Sequence, residues 1–176
     1  MPKSCRNLVD VGRRQFLRGG AMTAAAAAAA AVAPRQANAT PALARVDYPV
    51  TKLANIKQLK ANEPLDIAYP DADSPGVLLK LGQASEGGIG PDSDIVAFST
   101  LCPHKGFPLH YVAEDKTLNC SGHYSRFDCE SGGMQVWGHA TQNLPQFRLT
   151  VDDKGDIYAV AVDELIHGRM SNVLKA

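Results

Sequence analysis

An excess of positive charge is missing from this 176-residue chain, in which 18 Lys and Arg balance 18 Asp and Glu. Grip on a phosphate backbone rests on clustered basic side chains, so nucleic acid is excluded as a principal partner. Also missing are a nucleophile with its base, an acid–base pair and a glycine-rich phosphate loop, so any chemistry must come from a bound group or a partner. No internal repeat is present, and beyond residue 39 no apolar run is long enough to cross a bilayer, which needs about twenty residues. The composition, 45% hydrophobic and 20% charged, excludes a disordered chain and suits one domain with a core, or two small lobes.

The charge balance conceals an asymmetry. Residues 1–39 hold six basic groups (Lys3, Arg6, Arg13, Arg14, Arg18 and Arg35) against Asp10, which leaves 12 basic and 17 acidic residues from 40 onward, a net of −5. Arg13-Arg14, followed by Phe16-Leu17, an alanine-rich segment and Ala37-Asn38-Ala39, reads as a twin-arginine signal peptide over 1–39 with cleavage near Ala39. The expected location is the periplasm, and a retained anchor is the alternative. The acidic remainder suits a basic protein partner.

From about residue 44 the chain reads as β structure. The segments RVDYPV, PLDIAYP, GVLLKLG, DIVAFST, TLNCS, MQVWG, QFRLTVD and DIYAVAV are short, aliphatic and mostly alternating, with turn residues between them. VDDKGDIYAV is a hairpin signal, and a helical period shows only weakly at 53–61 and 162–170. The pattern predicts an all-β fold, a small antiparallel barrel or sandwich, with the chemistry carried on its loops.

That chemistry lies in two matched pairs, Cys102-Pro-His104 and Cys120-Ser-Gly-His123. Two thiols and two imidazoles could make a structural zinc site, but zinc fingers take two cysteines from one loop and two histidines from another. Here each loop brings one of each. A binuclear iron–sulfur cluster uses that mixture, with thiolates on one iron and imidazoles on the other, and neutral imidazoles raise its reduction potential.

CPHKG followed by CSGHYS resembles the two cluster-binding loops of Rieske iron–sulfur proteins. The resemblance implies one [2Fe–2S] cluster held by Cys102, His104, Cys120 and His123. It implies a Rieske iron–sulfur domain over 40–176, with a cluster-binding lobe at about 99–134 inserted in a larger base lobe. Gly106 stands where the family keeps a glycine that lets backbone amides approach cluster sulfur, and Ser125 matches a serine that donates its hydroxyl to a bridging sulfide. Rieske proteins of quinol-oxidising complexes join their loops by a disulfide at the positions of Phe107 and Gly122. Both cysteines are absent here, so packing must hold the loops, with Phe107 the expected filler. Phe127 replaces a tyrosine whose hydroxyl bonds a ligand sulfur, which lowers the potential and implies an intermediate value within the family's span of roughly −150 to +300 mV.

The remaining candidates have ordinary readings. Cys5 falls in the leader, which leaves Cys129 without a disulfide partner and therefore a quiet thiol. His110, His139 and His167 read as surface or core histidines, with His139 singled out because related proteins cover the cluster with a loop there. Trp137 reads as core, with a position beside the cluster as the alternative. An export signal with Rieske loops and no catalytic residues suits the electron-transfer subunit of a periplasmic molybdenum enzyme, and the whole chain resembles the small subunit of arsenite oxidase. That resemblance implies a molybdopterin-containing large subunit oxidising arsenite to arsenate, and a cytochrome c-type electron acceptor. The alternatives are the Rieske subunit of a quinol-oxidising cytochrome complex, which wants the loop disulfide, and a stand-alone Rieske ferredoxin, which has no use for Arg13-Arg14.

Overall fold

A computed structural model describes residues 47–173; the twin-arginine segment lies outside the described residues. Ten short strands make three antiparallel sheets: β1 (Thr51–Asn55), β2 (Leu65–Ala68), β3 (Pro75–Lys80), β4 (Ile95–Ser99), β5 (Leu109–Val112), β6 (Thr117–Cys120), β7 (Arg126–Asp128), β8 (Met134–Trp137), β9 (Phe147–Val151) and β10 (Asp156–Val162). The sheet orders are β1-β10-β9, β2-β3-β4 and β5-β6-β7-β8. The all-β architecture is as the sequence predicts.

The sheet β2-β3-β4 lies between two cores, and the pleat decides which residue serves which. Val77, Leu79, Val96 and Phe98 enter a core with Cys102, Leu118, Cys120, Phe127, Cys129 and Leu144. Their neighbours Leu78, Ile95 and Ala97 enter the other, with Tyr69, Phe147, Ile157 and Ile166. Period-two geometry sends successive side chains to opposite faces. A strand covered on both sides therefore reads as an unbroken apolar run, as GVLLKL and DIVAF do. In β9 only one face is covered, and Phe147 and Leu149 are buried while Arg148 and Thr150 are exposed. The β9–β10 hairpin forms as expected, with Ile157 opposite Val151.

Three segments differ from the plain reading of their sequence. Residues 47–50 of RVDYPV carry no strand, which begins only at Thr51. The weak helical period at 53–61 comes from Leu53, Ile56 and Leu59, all packed on the base core from a strand, one 3₁₀ turn and extended chain. The turn is Ile56–Gln58, capped by Asn55, whose side chain accepts from Lys57 N–H. At 162–170 the buried pair Val162 and Ile166 imitates a helix, but Asn172 Oδ1 takes the Ile166 N–H at 2.9 Å and no helix forms. Among the described residues no helix is long and apolar enough to span a membrane.

Candidate metal centre

The two loops that carry the Cys/His pairs are built alike. The first joins β4 to β5 and is closed at its base by a bridge between Leu101 and Pro108. The second is the turn between β6 and β7. In each, the cysteine N–H donates to the carbonyl five residues on: Cys102 to Phe107 at 2.9 Å and Cys120 to Ser125 at 2.9 Å. The amide four residues on donates back to the cysteine carbonyl, Gly106 at 2.7 Å and Tyr124 at 3.1 Å. Both of those residues are left-handed, Gly106 at φ 70° and Tyr124 at φ 59°. Only the first has the residue type that such a φ favours.

This construction sends the thiols in and the imidazoles out. Cys102 and Cys120 are buried in the same core. His104 and His123 meet at the surface with ring centroids 4.7 Å apart. Burial raises the Cys102 thiol pKa, opposed by the backbone N–H groups of His104 and Lys105 that favour the thiolate. His104 is held below the ordinary histidine range by desolvation, with His123, Lys105 and His139 adding repulsion. Its Nδ1 is buried and has no hydrogen-bond partner. A buried polar atom without a partner costs about 1–3 kcal/mol, which a bond to a metal would remove.

The donors form two pairs rather than one tetrad. Among the described residues no three His, Cys, Asp or Glu side chains converge on one ion position. A binuclear group asks for two ligands at each of two centres, and this arrangement fits it better than tetrahedral zinc.

A third loop, following β8, covers the other two. Gly138 packs against the backbone of Tyr124 and Ser125, and the Ala140 N–H donates to the buried Ser125 Oγ at 2.9 Å. The Ser125 hydroxyl proton is thereby left free for another acceptor. His139 stacks on His104 at 5.9 Å with the rings 20° apart, and sits 6.1 Å from His123. Phe127 is fully buried in the core shared by Cys102 and Cys120.

The model of the Rieske [2Fe–2S] domain matches residues 50–148. The chain belongs to the Rieske family. A Rieske domain carries one [2Fe–2S] cluster, and the donors described above fit it. The iodate reductase subunit IdrB of Denitromonas iodatirespirans is 44% identical over 167 residues, 92% of this chain and 86% of that one. The IdrB of Pseudomonas sp. strain SCT is 43% identical over 161 residues, 90% and 82% of the two chains. Among solved structures, the soluble domain of Rieske protein II from Sulfolobus acidocaldarius matches with a TM-score of 0.61 at 26% identity, over 70% of this chain and 82% of that one.

Some other residues of this Rieske domain match their sequence readings and others depart from them. Trp137 is not core: it is 67% exposed at the end of β8, beside Tyr124 and near His123 and His139. Gly106 leaves room for another side chain. A Cβ there would lie 2.6 Å from Cδ2 of His167, a residue read from sequence as unrelated to the site. Cys129 is a buried free thiol pushed up to about 12 by burial, as a quiet cysteine should be. His110 is exposed on β5. Phe107 is half exposed, yet it does close the loops: its ring lies 3.0–3.2 Å from a Cβ built on Gly122 and stands edge-on to His123 at 5.9 Å.

That last contact yields a prediction. Phe107→Cys with Gly122→Cys should form a disulfide under mild oxidation, because the two backbones approach closely enough for one aromatic ring to span them. Thiol titration and mass measurement check it. Two free thiols in a cluster-loaded protein would mean that the loops are set further apart.

Proposed function

We propose that this chain is the electron-transfer subunit of a periplasmic molybdenum oxidoreductase, relaying single electrons between the catalytic large subunit and a cytochrome c-type protein. In this reading Cys102, His104, Cys120 and His123 hold the [2Fe–2S] cluster, which accepts and releases one electron at a time. The observation that carries it is the 43–44% identity to iodate reductase subunits across nine-tenths of the chain. The rest is what the chain's own residues do. Buried Cys102 and Cys120 fix one side of the site, and surface imidazoles on the other give a partner a short approach. Backbone N–H groups at Cys102 stabilise thiolate charge. Tyr124, Trp137 and Phe107 ring the imidazoles with exposed aromatic surface, the kind that anchors protein contacts.

The tip itself is nearly uncharged. Its loops at 101–108, 121–125 and 138–146 carry one charge, Lys105, so the acidic excess of the domain lies elsewhere. Contact through the tip therefore suits the large subunit, in a broad and salt-insensitive interface. A basic cytochrome would use the acidic base lobe. Export by the twin-arginine route, which carries folded proteins, belongs to the same reading.

Iodate is the favoured substrate of the partner. Arsenite is the second reading, supported by the likeness of the leader and loop pattern to arsenite oxidase small subunits. The full chain should be recovered from periplasm with its partner, the complex analysed for molybdenum, and the oxidation state of the cluster followed on adding each oxyanion. Iodate should oxidise the reduced complex, and arsenite should leave the oxidised complex unchanged. Reduction by arsenite would reverse the substrate assignment, and a complex without molybdenum would defeat the proposal.

A further inference from the structure

His167 comes from the C-terminal segment, 64 residues beyond the loop it touches. Three anchors fix it. Ile166 is buried in the base core. Asn172 closes the segment on itself, accepting from Ile166 N–H at 2.9 Å and donating to the Glu164 carbonyl at 2.8 Å. Arg169 makes a bidentate pair with Asp71 at 2.6 and 2.8 Å, a geometry that holds direction as well as distance. From this strap the half-buried imidazole lies against Gly106, in the space a side chain there would fill.

The ring also makes a directed contact. Its Nδ1 lies 3.2 Å from the carbonyl oxygen of Pro103, the residue between Cys102 and His104. A carbonyl can only accept, so the hydrogen bond requires the proton on Nδ1. The carbonyl of Pro103 and the N–H of His104 belong to one conjugated peptide unit. That N–H is one of the two that favour negative charge on the Cys102 sulfur. A donor on the oxygen of a peptide draws electron density from its nitrogen and makes the N–H a stronger donor, the cooperativity of hydrogen-bond chains. Stronger hydrogen bonds to cluster sulfur stabilise the added electron.

We propose that His167 is a positioning residue for the cluster: held by the C-terminal strap, its Nδ1–H acts through the Pro103–His104 peptide on the Cys102 sulfur and raises the reduction potential. This rests on the ligand assignment of the proposed function. It gives the strap a part in redox tuning that neither loop motif contains.

Two variants separate the hydrogen bond from packing. His167→Leu keeps bulk against Gly106 but has no N–H, whereas His167→Asn places an amide N–H near the position of Nδ1. Each full-length, cluster-loaded protein should be titrated redox-potentiometrically with spin resonance as the readout, and iron measured in parallel. The leucine variant should fall by up to about tenfold in the one-electron reduction equilibrium constant, about 59 mV. The asparagine variant should stay within about twofold of the wild type, as partial retention of the N–H requires. If the leucine variant loses iron, His167→Met, also without an N–H, replaces it. Loss of iron from both with retention in His167→Asn supports the proposal, because the donor alone then separates them. An unchanged potential in the leucine variant, or an equal fall in the asparagine variant, overturns it. Wild-type protein with no Rieske signal overturns the ligand assignment and the proposal together, whereas an unchanged leucine variant with a normal signal overturns only the proposal.

Discussion

Serine in place of His104 or of His123 is expected to abolish the rhombic spin-resonance signal of the reduced protein and to strip most of its iron. The short hydroxyl cannot reach where the imidazole nitrogen stands, and on the proposed ligand set each substitution leaves one of the two centres with a single protein ligand. The His104 Nδ1 is the sharper case, since it is buried and unpartnered within the protein. The fold itself should survive. No strand pairing involves either imidazole, and both loops are closed by their own backbone hydrogen bonds. Circular dichroism should therefore be retained while iron is lost. His110→Ser, on the exposed face of β5, is the matched control and should keep both iron and signal. A full signal in both the 104 and 123 variants would place the cluster elsewhere.

The second large effect is expected from one methyl group. Gly138 has φ 91°, and a Cβ there would lie 2.4 Å from Ser125 Cα and 2.5 Å from both Ser125 N and Tyr124 O. All three are backbone atoms of the second loop, so no side chain can swing away to relieve the clash. Gly138→Ala must lift the third loop off the second. That breaks the bond from Ala140 N–H to Ser125 Oγ, a loss of about 1–3 kcal/mol for a buried donor, and unstacks His139 from His104. The left-handed φ adds roughly 1–2 kcal/mol of strain. Thermal unfolding should fall by on the order of 10 °C, and the potential should drop as the Ser125 hydroxyl loses its orientation. Gly82→Ala shares the positive φ, 77°, but meets only Ala61 at 3.8 Å, and should cost about 1–2 kcal/mol from strain alone. Equal melting temperatures for the two variants would contradict this account of the third loop.

The sequence made part of this legible for clear physical reasons. Strands β2, β3, β4, β6, β8, β9 and β10 stand out because their aliphatic runs follow the pleat or a doubly covered sheet. The short strands β5 and β7 escaped notice because loop residues of the site flank them and break the alternation. The Cys/His quartet was legible because each loop is local, with its pair within four residues. The fourth residue past each cysteine was legible only once, as Gly106. Its counterpart Tyr124 adopts the same left-handed turn without the glycine that would signal it. His139 and His167 reach the site from other elements, so no spacing rule could join them to it. Trp137 misled because size suggests burial, whereas its place at the end of an edge strand leaves it in solvent. The charge count was right in sum but silent on place: the tip carries only Lys105.

The two loops are proposed to hold a binuclear iron–sulfur cluster with mixed ligands. This is tested most directly by metal and acid-labile sulfide analysis of the purified chain, joined to spin resonance of the reduced form. Two irons and two sulfides per chain are expected, as a [2Fe–2S] cluster requires, with a rhombic signal whose average g lies below the free-electron value. One zinc per chain without iron or sulfide would contradict this assignment.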